Sequence, residues 1–134
     1  MQVAIALFPR NTALDSIGPY EVLQRVPSID VVFVGHTRGE VRTDNGMLGL
    51  TVDAAFDEVT EPDVLLVPGG VGTRDLVDDE AMLDWVRGVH RRTLFTTSVC
   101  TGSLVLAAAG LLDGLTATTH WAAQDLLGSL GAVY

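Results

Sequence analysis

The chain has no lysine. All eight of its basic residues are arginines, set against 17 aspartates and glutamates. A formal net charge of −9 offers no basic face to a phosphate backbone, so direct nucleic-acid binding is not expected. Without lysine there is no Walker-type nucleotide loop. Cysteine occurs once, at Cys100, which excludes an intrachain disulfide and a multi-cysteine zinc site. That usage fits a reducing, cytoplasmic compartment. No run of 18 apolar residues exists, so no membrane span is expected. The opening MQVAIALFPR lacks a basic region and soon meets Pro9; it reads as a first strand, not a secretory leader. His36, His90 and His120 have no metal-ligand spacing among them.

What is present is hydrophobic patterning. The 134 residues are 48% hydrophobic, with a mean hydropathy of +0.35. That is enough for one domain burying about two-thirds of its unfolded surface. Short apolar runs at 2–8, 29–34, 63–67 and 93–99 read as strands. Helical patterns follow from 12 to 23, with Pro19 expected at a helix start or restart, then over 73–90 as one or two helices, over 104–109 and over 121–127. Asp44-Asn45-Gly46 is a hairpin turn between 40–42 and 48–50. A helical turn is expected at 53–59, and a further strand from 128 on. Strands alternating with helices imply an α/β fold: a doubly wound, mostly parallel sheet with helices on both faces, a flavodoxin-like three-layer sandwich.

Ligands on such sheets bind beyond the carboxyl ends of the strands. The loops at 9–18, 68–72 and 100–101 leave those ends. Cys100 falls where a strand becomes a helix, the setting of a nucleophile elbow, and Gly102 and Ser103 leave room beside it. The competing reading is a small buried hydrophobe. Asp15 is either a helix cap or, if its loop meets the cysteine, a proton shuttle for the thiol. Glu21 lies further into the helix and is expected to brace the fold or face solvent. Gly69, Gly70 and Val71 offer backbone N–H groups for an oxyanion-type pocket, or form a plain turn. A dinucleotide fingerprint is disfavoured, because the third glycine is absent. Thr101 is placed to hold a reactant or water. His120 either lines the cleft or is structural.

Four stretches then carry a resemblance: LDSIGPYEVL at 14–23, DVLLVPGGVGTR at 63–74, SVCTGSLVLAAAGLLDG at 98–114 and ATTHW at 117–121. In this order they resemble the ThiJ/PfpI superfamily, of the class I glutamine amidotransferase-like fold, and within it the isonitrile (isocyanide) hydratases. The resemblance implies a homodimer with no metal and no organic cofactor, acting on a small molecule. It implies that Cys100 attacks the terminal carbon of R–N≡C, that Asp15 is the acid/base, that Thr101 positions the reacting group and that Gly70 is a backbone donor near the sulfur. Protease-like members carry histidine after the cysteine; Thr101 here argues against peptidase activity. Relatives continue for several dozen residues, so residues 1–134 are expected to be a single domain lacking its C-terminal elements. Two other readings stand beside the hydratase: the ligand-sensing domain of an AraC-type transcription regulator, and a stress sensor oxidised at Cys100.

Overall fold

The computed structural model describes residues 1–134. Along the chain run β1 (Gln2–Ala6), α1 (Ala13–Leu23), β2 (Asp30–Gly35), β3 (Gly39–Arg42), β4 (Gly49–Val52), β5 (Ala54–Ala55), β6 (Val64–Val67), α2 (Thr73–Leu76), α3 (Glu80–His90), β7 (Phe95–Ser98), α4 (Gly102–Ala108) and α5 (Gln124–Ser129). Five strands form one sheet in the order β5-β2-β1-β6-β7. Every pairing in it is parallel. β3 and β4 form the expected hairpin, antiparallel, with Val41 opposite Leu50.

Side-chain alternation along the strands divides the core. Ala4 and Ala6 of β1 and Leu65 and Val67 of β6 face the larger cluster, packed by Met82, Val86 and Val89 of α3 and Val105 of α4. Val3, Ile5 and Leu66 point the other way, toward Tyr20 and Leu23 of α1. Helices therefore cover both faces, and the strands read as unbroken apolar runs for that reason. α3 begins where Asp79 accepts the Met82 N–H at 2.9 Å, an N-cap of the ordinary kind. Its buried residues recur every three or four positions, the spacing of one helix face.

Three expectations need correction. Pro19 lies inside α1, not at its start. It has no N–H to give the Asp15 carbonyl, yet α1 stays continuous because Tyr20 and Leu23 beyond it are packed on the sheet. At 53–59 the helical turn is present but shorter than expected. β5 first pairs alongside the last two residues of β2, and a one-turn 3-10 helix, Phe56–Glu58, follows. Arg38 beside Glu58, helped by the Ala55 N–H, holds that carboxyl below the usual range. Residues 128–134 add no strand to the sheet. Thr116 and Val133 make one isolated bridge, and Leu127 of α5 packs with Leu104 and Ala107 of α4. No helix is long and apolar enough to cross a membrane.

β1, β6 and β7 are neighbours and run the same way. The loops that follow them leave one edge of the sheet together.

Candidate active site

β7 ends at Ser98 and α4 begins at Gly102. Cys100 makes the turn between them with φ +54°, in the left-handed region. A non-glycine residue there costs on the order of 1–3 kcal/mol and persists only where its surroundings enforce it. They do so here. A side chain at Gly102 would collide with the Val67 carbonyl oxygen, so α4 sits hard against the end of β6. The Cys100 carbonyl accepts from the Ser103 hydroxyl at 3.2 Å and the Thr119 hydroxyl at 3.3 Å. The cysteine is half-buried. It lines an open cleft of about 200 Å³ with Thr12, Gly70, Val71, Arg74, Thr101 and His120.

Asp15 does not cap its own helix. Its Oδ2 reaches out of the first turn of α1 and accepts the Gly69 N–H at 3.1 Å. Gly69 is the bare point between carboxylate and cysteine. A methyl group there would lie 2.8 Å from Cβ of Cys100 and 2.9 Å from Oδ2 of Asp15. Gly70 has φ +129° and is pressed against the backbone of Arg10 and Thr12, so a Cβ has neither the conformation nor the space.

The donors differ from expectation. Gly69 donates to Asp15, and the Gly70 N–H is bound at 2.9 Å to the Thr101 hydroxyl oxygen. Thr101 returns its own proton to the Gly70 carbonyl, which Thr73 also bonds at 2.7 Å. Gly70 is thus a structural donor that fixes Thr101, not a free one. The N–H groups of Val71, Cys100 and Thr101 make no hydrogen bond within the chain. The N–H directly after a nucleophile is the usual oxyanion donor of an elbow; of the expected donors Gly69, Gly70 and Val71, only Val71 is left without a partner, together with Cys100 and Thr101.

His120 lines the same cleft, but its Nδ1 accepts the Ala122 N–H at 3.2 Å. That bond caps the short turn at Trp121–Ala123, and none joins the ring to Cys100. Glu21 is outside the cleft, exposed and paired with Arg25 at 3.0 Å. No three His, Cys, Asp or Glu side chains converge where they could hold a metal ion. Sequence reasoning passed over Thr12, Thr73 and Arg74. The signal for the last two was their position directly after the glycine loop.

Thr101 is 4% exposed, so removing its hydroxyl leaves a buried N–H without an acceptor. We expect Thr101→Val to lose about 1–3 kcal/mol in urea denaturation, and Thr101→Ser to recover most of it. Equal stability of the valine and serine proteins would show that the Gly70 bond does not hold the loop.

Comparison with known proteins bears on the family and the fold. The model of the DJ-1/PfpI family matches residues 1–134. The isonitrile hydratase of Pseudomonas putida is 45% identical over 133 residues, covering 99% of this chain and 58% of that protein. The HTH-type transcriptional regulator CdhR of Pseudomonas aeruginosa is 39% identical over 87 residues, covering 65% of this chain and 25% of the regulator. A crystal structure of a ThiJ/PfpI family protein from Pseudomonas syringae superposes with a TM-score of 0.92 at 34% identity, covering 98% of this chain and 55% of that one. The chain thus spans little more than half the length of the hydratase and of that crystal structure. With a family model matched from end to end and an elbow cysteine on a parallel sheet, the chain belongs to the DJ-1/PfpI family.

Proposed function

We propose that this protein hydrates an isonitrile, R–N≡C, to an N-substituted formamide, with Cys100 as nucleophile and Asp15 as its proton partner. The observation that carries the reading is the pairing across Gly69. Oδ2 of Asp15 and Cβ of Cys100 both lie within 3 Å of the point where a Gly69 side chain would begin, close enough to support a proton transfer between them. The 45% identity to an isonitrile hydratase supports the substrate class.

The sulfur adds to the terminal carbon, forming the C–S bond. The thiol proton passes by way of Asp15 to that same carbon and leaves a thioimidate, R–N=CH–S–Cys. Water then adds across the C=N bond; Asp15 removes its proton and the nitrogen gains one. Breaking the C–S bond releases R–NH–CHO and returns the thiol. The sum is one isonitrile and one water giving one formamide. Charge that develops on the former water oxygen is met by the unbound N–H groups of Thr101 and Val71, donors of the kind that stabilise tetrahedral intermediates.

The likeness to CdhR favours a second reading, the ligand-sensing part of a regulator, with the same cleft binding a small molecule and no chemistry following. Incubation with cyclohexyl isonitrile separates the two. The hydratase yields N-cyclohexylformamide in many-fold excess over protein, detected by chromatography. A folded protein that forms none overturns the proposal.

A further inference from the structure

Arg10, Arg25, Arg38, Arg42, Arg87 and Arg92 each sit against a carboxylate. In a chain of net charge −9 that is the expected fate of an arginine. Arg74 and Arg91 are the two without an acidic partner, and of these only Arg74 lines the cleft that holds Cys100; Arg91 lines a separate pocket. Its sequence neighbour Asp75 is bound to Arg10 at 2.6 Å. The Arg74 Nη1 lies 3.2 Å from the Thr73 hydroxyl and 3.5 Å from the Gly70 carbonyl. It is therefore anchored to the network that fixes Thr101. Its Nε and Nη2 have no acceptor in the protein.

A guanidinium held by one nitrogen and open at the others is a planar fork suited to a carboxylate. The neighbouring walls are small and uncharged: Thr12, Val71 and Ala122. No carboxylate lines the cleft, and Asp15 nearby is bound to the Gly69 N–H rather than to Arg74. We propose that Arg74 is the specificity-determining residue of the cleft and selects substrates whose R group carries a carboxylate. The isonitrile part of that substrate class rests on the function proposed above; the preference for an anion rests on Arg74 alone.

Cys100 is the only thiol, so it reports on the cleft without turnover. Iodoacetate and iodoacetamide both form an S–CH₂ bond and expel iodide, and differ by one negative charge. Their rates with Cys100, followed by intact mass and normalised to a small free thiol at the same pH, give an anion-preference ratio. Arg74→Gln lowers that ratio, by up to about fivefold at low salt, the range of one exposed charge contact. In the unaltered protein the ratio falls toward the small-thiol value at ~1 M salt, where the screening length is about 3 Å. Arg74→Lys keeps part of the preference, since it retains the charge without the fork. A ratio unmoved by both Arg74→Gln and salt overturns the assignment. Turnover of isocyanoacetate against its methyl ester completes the test. No turnover of either, with an Arg74-dependent alkylation ratio, ends the hydratase reading and leaves the anion site standing. Turnover of both, at a relative kcat/KM that Arg74→Gln does not change, ends the anion site alone.

Discussion

Cys100→Ala is expected to fold and to form no detectable formamide, a loss of roughly 10⁴-fold or more, the scale on which enzymes lose a nucleophile. Asp15→Asn is expected to lose about 10²–10⁴-fold, the range of a positioned acid/base group. The two fail differently. Asparagine still presents an oxygen to the Gly69 N–H, the bond that ties α1 to the glycine loop at 3.1 Å, so the cleft keeps its shape. Iodoacetamide should therefore still modify Cys100 in the Asp15→Asn protein, while the isonitrile is not turned over. Alanine at 100 removes the modifiable group itself. Formamide production by Cys100→Ala at the parent rate would rule out a thioimidate. Parent-rate turnover by Asp15→Asn would place the proton elsewhere.

Gly102→Ala is the substitution expected to damage the fold most. The added methyl would strike the Val67 carbonyl oxygen, and would also lie 2.8 Å from the Val67 carbonyl carbon and 2.9 Å from the Pro68 oxygen. All three are backbone atoms of the central sheet or its exit loop, so no rotamer change relieves the contact. A cost of about 3 kcal/mol follows from overpacking of this kind, read as a lower urea midpoint. Gly88→Ala is its counterpart. Gly88 lies within α3, and a Cβ there meets nothing within 4 Å. Alanine at that position is expected to stabilise by about 0.5–1 kcal/mol through helix propensity and a less flexible unfolded chain. If the two proteins melt alike, the tight seating of α4 on β6 is not what forces Cys100 into its left-handed turn.

Much of the sheet and part of the site were legible in the residues. The strand at 93–99 followed by cysteine, two small residues and a helix former predicts an elbow, because few other local geometries join those pieces. Asp15 stood near the end of the first strand, and parallel pairing alone brings such ends together. Other features depend on neighbours that no local pattern announces. Gly69 and Gly70 were read as open donors; only the folded chain shows Asp15 and Thr101 accepting from them. Pro19 was read as a boundary, but packing of α1 on Val3 and Ile5 outweighs one missing helix bond. Arg74 was not singled out because seven other arginines look like it. What distinguishes it is the lack of a carboxylate partner together with a place beside Cys100, which Arg91, also without an acidic partner, does not have; both are facts of space. The residues after Gly128 bond outside α5 only to the 114–117 segment and pack against α4, so they never join the sheet.

The bonds that assemble the cleft join residues distant in sequence: Asp15 to Gly69 across 54 positions, and Gly70 to Thr101 across 31. Parallel strands need a crossover before they can pair, and such nonlocal closures come late and slowly in folding. During synthesis, the segment containing Asp15 emerges long before Cys100. A partly folded chain, with β1 and β2 paired and β7 still loose, carries its sulfur with no carboxylate beside it and no fixed turn beneath it. Reactivity therefore arrives only with the completed topology, and the rate at which a refolding sample regains Cys100 chemistry should follow the closure of β6 on β7, not the earlier rise in helix signal.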